Sequence, residues 1–256
     1  MKVVTNAREL PSACAFVPTM GALHAGHASL FTLAKHYSES VVASIFVNPL
    51  QFESKEDLAK YPRTPDIDIE IAAASGVTHL WLPLQDEIYP EGFTKQSAGP
   101  IGDIYEGKSR PGHFDGVLTV VRRLFDLVNP KVAIFGEKDF QQLQLIKTIA
   151  GDIEIITAPT IRESDGLAVS SRNVRLAPEG RTAAAVIYRA LVQAKNEEEL
   201  RAILATESAL TIDYADFIDE KTFTHAQPTS RDVRAIVAGW INGVRLIDNM
   251  PMGIRA

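Results

Sequence analysis

Two histidines three residues apart, His24 and His27, stand at the head of an amphipathic run. An apolar, strand-like stretch (Cys14 to Val17) feeds that run through the turn Pro18-Thr19-Met20-Gly21. On a helix this spacing puts both imidazoles on one face of the first turn. Unpaired backbone N–H groups and the positive end of the helix dipole point the same way. That combination is suited to binding phosphate. Taken alone, His-Ala-Gly-His leaves a second reading open, two ordinary histidines at a helix start.

Three more polar segments carry chemistry. In Ile45–Phe52, Asn48 and Gln51 each offer an uncharged donor and acceptor, which suits hydroxyl and carboxylate groups, and Pro49 stiffens the loop. A capped turn is the alternative there. In Phe135–Gln142, Gly136 allows close backbone approach and Lys138 supplies a mobile charge for phosphate. Asp139 is placed to cap the following helix and to orient Lys138 or a ribose hydroxyl, and Gln142 lies one turn in, facing the same pocket. In Ile161–Asn173, Asp165-Gly166 marks a hairpin, and beyond it Ser170, Ser171 and Arg172 can donate to phosphate oxygens. A solvated turn is the bland alternative. For Arg110 and His113, contact with substrate and a plain helix-entry turn stand equal. Asp66 and Asp68 can touch a metal, but acids in a first helical turn ordinarily complement the dipole, so they are left out of the site.

The elements that must position these residues alternate. Ala13–Val17, Val41–Val47, Thr78–Leu82, Val132–Phe135 and Ile153–Thr157 read as buried strands. Helical spacing is predicted over 27–37, 65–75, 115–128 and 139–149, with Thr64 as N-cap and Pro65 at the first position of the second, and Asn129-Pro130 stopping the third. Such alternation calls for a parallel sheet with helices on both faces, whose ligands bind beyond the carboxyl ends of the strands. Each polar segment follows a strand end. From residue 176 the texture changes to helices near 179–195 and from 197, then strands near Ile212–Ile218, Val233–Trp240 and Val244–Ile247. We therefore divide the chain into an α/β domain, residues 1–175, and a smaller α+β domain with an antiparallel sheet, residues 176–256.

Bulk composition narrows the function. In 256 residues, 46% are hydrophobic and 23% charged, the profile of a soluble globular protein. A net charge of −6 argues against nucleic acid or an anionic membrane as the main partner. The single cysteine, Cys14, lies in an apolar strand and reads as a core residue of a protein from a reducing compartment. No leader or membrane-length apolar run is read, so a cytoplasmic protein is expected. There is no phosphate-binding Gly-x-x-x-x-Gly-Lys-Ser/Thr, no Gly-x-Ser-x-Gly elbow and no metal-ligand spacing beyond the histidine pair.

His-x-Gly-His after a strand resembles the signature of the nucleotidylyltransferase superfamily, and Ser170-Ser171-Arg172 occupies the place of its mobile second signature. The segments together resemble the pantothenate synthetase (pantoate–β-alanine ligase) family. The match runs in family order through Pro18–His27, Phe46–Phe52, Tyr61–Thr64, Gly112–Val117, Phe135–Gln142 and Arg162–Asn173. Val169 stands where the family commonly has methionine. The resemblance implies a Rossmann-like nucleotide-binding domain, and ATP, Mg²⁺, pantoate and β-alanine as ligands. It also implies a pantoyl-adenylate intermediate and a homodimer. It makes His27 the principal catalytic histidine and a proton donor. Gln51 would hold pantoate and β-alanine, Gln142 pantoate, with Asn48 nearby. The ATP site would comprise Met20, Gly21, Ala22, Leu23, His24, Ala25, Gly26 and His27, then Gly136, Glu137, Lys138 and Asp139, then Ile161, Val169, Ser170, Ser171 and Arg172. No protein ligand to a metal is assigned. Competing readings are an adenylyltransferase acting on a phosphate ester, an ATP sensor without turnover, and a purely structural domain.

Overall fold

Short apolar strands that are buried on both faces need a covering layer on each side, and the chain supplies it. The computed structural model describes residues 1–253. Contacts divide it into two units, Met1–Pro159 and the chain from Thr160 onward.

In the first unit, β1 (Lys2–Val4), β2 (Ala15–Thr19), β3 (Val41–Ile45), β4 (His79–Trp81), β5 (Val132–Gly136) and β6 (Glu154–Ala158) form one sheet in the order β1-β4-β3-β2-β5-β6. Every pairing is parallel. Five of these strands match the expected runs to within two residues at each end. β1 was not foreseen, because three residues with only Val4 buried carry no periodicity. Helices α1 (Ala25–Ala34), α2 (Lys55–Lys60), α3 (Pro65–Ala74), α4 (Gln85–Ile88), α5 (Glu106–Ser109), α6 (His113–Val128) and α7 (Phe140–Ile149) connect them.

Alternation along the strands sends one set of side chains to each face. Ala15, Val17, Val41, Ala43, Leu80 and Ile134 pack with Phe31 and Ala34 of α1 and Ala72 of α3. On the opposite face Phe135 meets Phe125 of α6 edge-on, ring centroids 6.3 Å apart. α6 buries Val117, Leu118, Val120, Val121, Leu124, Phe125 and Val128. It ends as its sequence dictates: Asn129 turns left-handed (φ 46°), returns its N–H to Phe125 O, and Pro130 blocks continuation.

The sheet has a switch point. From β2 the chain builds outward through β3 and β4, then crosses to β5 and β6 on the other side of β2. β2 and β5 pair only at Ala15↔Val132 and Phe16↔Ala133, so their carboxyl ends part. In open α/β sheets that crevice is where ligands bind.

In the second unit, α8 (Pro178–Ala183), α9 (Ala185–Gln193) and α10 (Glu197–Leu204) cover an antiparallel sheet β7 (Leu210–Asp219), β8 (Val233–Ile241), β9 (Val244–Met252). Its core joins Ile187, Ala190, Leu191, Leu200 and Leu204 to Ala215, Phe217, Val237 and Leu246. The sequence groups residues 160–175 with the first domain, whereas contacts place them in the second unit. Leu167 lies in this core, and Arg162 forks onto Asp248 of β9 at 2.6 and 3.0 Å. The expected helix over 179–195 is two helices, α8 and α9, meeting at Ala184.

One glycine of α6 fixes the loop that follows β3. A methyl group on Gly116 would lie 2.3 Å from Leu50 O, so the helix can approach residues 49–51 only with hydrogen there. Gly116→Ala is expected to destabilise the protein by about 1–3 kcal/mol through overpacking. Thermal melting should register this as a fall of roughly 2–4 °C per kcal/mol for a chain of this size.

Candidate active site

β2 ends in a turn that reverses the chain through two consecutive left-handed residues, Gly21 (φ 81°) and Ala22 (φ 50°). Ala22 holds this shape at a cost of about 1–2 kcal/mol. The turn is tied internally. Thr19 Oγ1 donates to Ser44 O at 2.7 Å and accepts from Gly21 N–H at 3.2 Å. Ala22 and Leu23 N–H both donate to the buried Asp68 carboxylate of α3, at 3.1 and 2.8 Å. Hydrogen bonds to a carboxylate are worth about 1.5–3 kcal/mol each, enough to offset the strain. Thr64, expected to cap α3, instead turns its hydroxyl onto Asp68 at 3.0 Å and makes no cap bond.

The two imidazoles close the helix start. His24 is the N-cap of α1: its Nδ1 accepts from Gly26 N–H at 3.1 Å, while His27 Nδ1 accepts from His24 N–H at 3.3 Å. A backbone N–H can only donate, so both Nδ1 atoms are bare and each neutral ring carries its proton on Nε2. Sequence reasoning placed unpaired backbone N–H groups here. Several are in fact consumed, and the imidazoles replace them with Nε2–H donors. The rings lie 4.2 Å apart between centroids.

Burial holds both rings neutral. It is the main cause pushing the His27 pKa down to about 3, with His24 next. His24 is also lowered, by burial first and then by Lys138. The Lys138 ammonium and the Asp139 carboxylate act on both rings, so the end of β5 and the start of α1 share one electrostatic field. Lys138 Nζ lies 3.7 Å from Asp139 Oδ2. Asp139 makes no side-chain cap on α7, contrary to expectation, and stands beside Lys138 instead. A methyl group at Gly136 would meet no protein atom within 4 Å.

Past β3, a chain of anchored amides sets the polarity of Gln51. Asn48 Oδ1 accepts from Leu50 N–H (3.1 Å) and the Tyr89 hydroxyl (2.6 Å), and Asn48 Nδ2 donates to Gly116 O (3.0 Å). Those backbone partners fix which end of Asn48 is nitrogen. Its second N–H then donates to Gln51 Oε1 at 3.0 Å, which leaves the Gln51 –NH₂ as the group offered onward. Asn48 is buried with all four positions filled by protein, so direct contact with substrate, the sequence expectation, gives way to a role in holding Gln51. His113, left open between contact and structure, donates from Nδ1 to Gln51 O at 2.9 Å and accepts at Nε2 from Arg110 at 3.0 Å. The adjacent glutamines of α7 divide. Gln141 is buried and spends its amide on Ile101 O, Ile104 O and Glu106 N–H, whereas the Gln142 side chain makes no hydrogen bond to the described residues.

In the second unit, Val169 N–H donates to Ile161 O at 2.9 Å, closing the hairpin over Asp165-Gly166. Ser170 caps the single turn Ser171–Arg175: its Oγ accepts from Arg172 N–H at 3.2 Å, leaving the hydroxyl hydrogen to donate. Among the described residues, Glu197, Asp216 and His225 form a grouping of metal-ligating type. Arg201 already pairs with Glu197 at 3.2 Å and with Asp216 at 2.5 Å there.

Sequence comparison decides the family. The family model "Pantoate-beta-alanine ligase" matches residues 1–251. The chain belongs to that family. A pantothenate synthetase of Acidothermus cellulolyticus is 48% identical over 258 residues, covering 93% of this chain and 85% of that protein. The crystal structure of pantothenate synthetase from Thermus thermophilus superposes with a TM-score of 0.93 at 41% identity, covering 99% of this chain and 100% of that one. The pantoate–β-alanine ligase of Francisella tularensis, solved with β,γ ATP and β-alanine, gives a TM-score of 0.83 at 37% identity and 98% coverage of both chains. The chain is thus an α/β enzyme of the pantoate–β-alanine ligase family, and its parallel sheet and smaller antiparallel sheet are as expected.

Within this family member the residue that sequence reasoning set aside is Asp68, which lies in the first turn of α3 as expected and also accepts from the turn after β2. Its signal was available as an acid one turn after Thr64-Pro65, but distance along the chain hid its partners, Ala22 and Leu23. For His27, imidazole NMR of the free enzyme should show a neutral Nε2–H ring throughout pH 7 to 5. A midpoint near the ordinary 6.5 would refute the burial argument. Because the folded state resists protonation, stability should be fully present above pH 6.5 and decline as pH falls from there towards 3.

Proposed function

We propose that the protein condenses pantoate with β-alanine at the expense of ATP, through a pantoyl-adenylate, giving pantothenate, AMP and pyrophosphate. The observation that carries this reading is the pair of neutral imidazoles, each with its proton on Nε2, in one field with Lys138 at the switch point of the sheet. A carboxylate is a poor electrophile until its oxygen becomes part of a good leaving group. A pantoate carboxylate oxygen attacks the α-phosphorus, the bond from that phosphorus to the bridging oxygen breaks, and pyrophosphate departs with the electron pair. Fixed donors are worth most where that charge develops. His24, His27 and Lys138 are the candidates in the first unit. With a neutral ring, His27 acts by donating a hydrogen bond from Nε2; burial leaves too little imidazolium at neutral pH for it to deliver a full proton. Ser170, Ser171 and Arg172, with Ile161 and Val169 beside the base, are assigned to ATP by the family resemblance.

Gln51 and Gln142 hold pantoate. Gln51, with its oxygen engaged by Asn48, offers N–H groups to a carboxylate or hydroxyl, and Gln142 is unspent. In the second half-reaction the β-alanine amine, near Gln51, attacks the acyl carbon, the bond from that carbon to the AMP phosphate oxygen breaks, AMP departs with the electron pair, and the nitrogen loses a proton to solvent. Mg²⁺ would come with ATP and would neutralise phosphate charge; His24, His27 and Lys138 would bind the phosphates rather than the ion, since the carboxylate beside them, Asp139, lies 3.7 Å from Lys138. Among the described residues no helix is long and apolar enough to cross a membrane. The family resemblance supports a homodimer, and a lone, buried cysteine suits the reducing conditions of a cytoplasm.

AMP formation measured with each substrate omitted in turn tests the reaction: release should require ATP, pantoate and β-alanine together. AMP transfer to a phosphate ester instead would favour the sister adenylyltransferase activity. His27→Ala should slow pyrophosphate formation by roughly 10²-fold, the scale of one lost transition-state donor. Gln142→Ala should raise the pantoate KM far more than the ATP KM, and equal losses would remove Gln142 from the pantoate site.

A further inference from the structure

We propose that Asp68 is a positioning residue for nucleotide activation, acting through the turn 21–24 to fix the place and tautomer of His27. The inference rests on the adenylation reading above. Asp68 is 2% exposed, and its carboxylate accepts from Ala22 N–H, Leu23 N–H and the Thr64 hydroxyl. The next residue after Leu23 is His24, whose own N–H is the partner of His27 Nδ1. Each link therefore sets the next: the carboxylate orients two peptide groups, the second leads into the His24 amide, and that amide holds the bare nitrogen of His27. With Nδ1 so held, Nε2 must carry the proton.

Two features mark the turn as dependent on this acid. Gly21 and Ala22 are both left-handed, a shape that is costly for an alanine and that the two bonds to Asp68 offset. A methyl group on Gly21 would lie 2.9 Å from Asp68 Oδ2, so turn and carboxylate are fitted to each other at contact distance. The carboxylate occupies the inner side of the turn and touches neither imidazole through a hydrogen bond. Its influence passes through backbone.

Asp68→Asn keeps the shape but sets an –NH₂ where one of the turn amides needs an acceptor. Displacement of a catalytic donor by an ångström costs about 10²-fold. Pyrophosphate formation from ATP and pantoate should fall roughly 10- to 100-fold in Asp68→Asn. In a His27→Ala background the same change should cost less than about threefold, because its target is gone. Imidazole nitrogen NMR should show His27 as one tautomer in the unaltered enzyme and as a mixture in Asp68→Asn. Additive losses together with an unchanged His27 tautomer would overturn the proposal. If His27→Ala alone leaves pyrophosphate formation intact, the role of His27 fails and this proposal with it, whereas absence of pyrophosphate from the unaltered enzyme with ATP and pantoate would sink the adenylation reading and leave the NMR comparison to test Asp68. Should Asp68→Asn not fold, Thr64→Val removes one donor to the carboxylate at nearly constant volume. The same non-additivity and tautomer mixing, at smaller amplitude, should then appear, and their absence would overturn the proposal.

Discussion

The site depends on how the start of α1 disposes of its backbone donors. A helix begins with N–H groups that have no partner within the helix. In many anion sites these groups meet the ligand directly. Here His24 Nδ1 takes one and His27 Nδ1 takes another from the residue before the helix. Each ring accepts a hydrogen bond on one side and must therefore donate on the other. The helix end is thus extended outward by the length of an imidazole, and the direction of the extension is set by ring orientation. Side chains can present donors further from the backbone than peptide groups can, which suits a triphosphate that must stay reachable by a second substrate.

Sheet topology supplies the space for that arrangement. Because β2 and β5 pair only near their amino ends, the polypeptide emerging from each is free to diverge. From β2 the chain turns into α1 with its histidines, and from β5 it turns into Lys138 and α7. Gly116, pressed against Leu50 O, brings the loop after β3 to the same helix that covers this face of the sheet. Electrostatics confirms that two of these segments face one another, since Lys138 and Asp139 both act on the imidazoles.

Much of this was legible in the residues. Five strands of the parallel sheet announced themselves through short apolar runs, α6 through its spacing and its Asn129-Pro130 stop, and the histidine pair through its place after a strand. Local signals failed where partners are distant in sequence. Asp66 and Asp68 look alike in the sequence, yet only Asp68 reaches a turn forty-five residues away. Asn48 looked like a ligand-binding amide because its side chain is polar and follows a strand. Only Gly116 O and Tyr89, remote along the chain, reveal that it is spent. Likewise, the segment 160–175 follows β6 without a change of texture, and its allegiance is decided by Leu167 and by Arg162 reaching Asp248.

Neutral imidazoles are the consistent choice for such a site. Two protonated rings with centroids 4.2 Å apart would repel by about 4 kcal/mol at an effective dielectric near 20, before counting Lys138. That cost would fall on the free enzyme, which would have to sustain three adjacent cations without an anion between them. A neutral ring avoids it and still offers a donor. The fixed charge is left to Lys138, which Asp139 steadies until an anion arrives. A neutral Nε2–H donor placed where charge builds on a leaving group lowers the barrier there, whereas an imidazolium in the resting protein would only destabilise the fold.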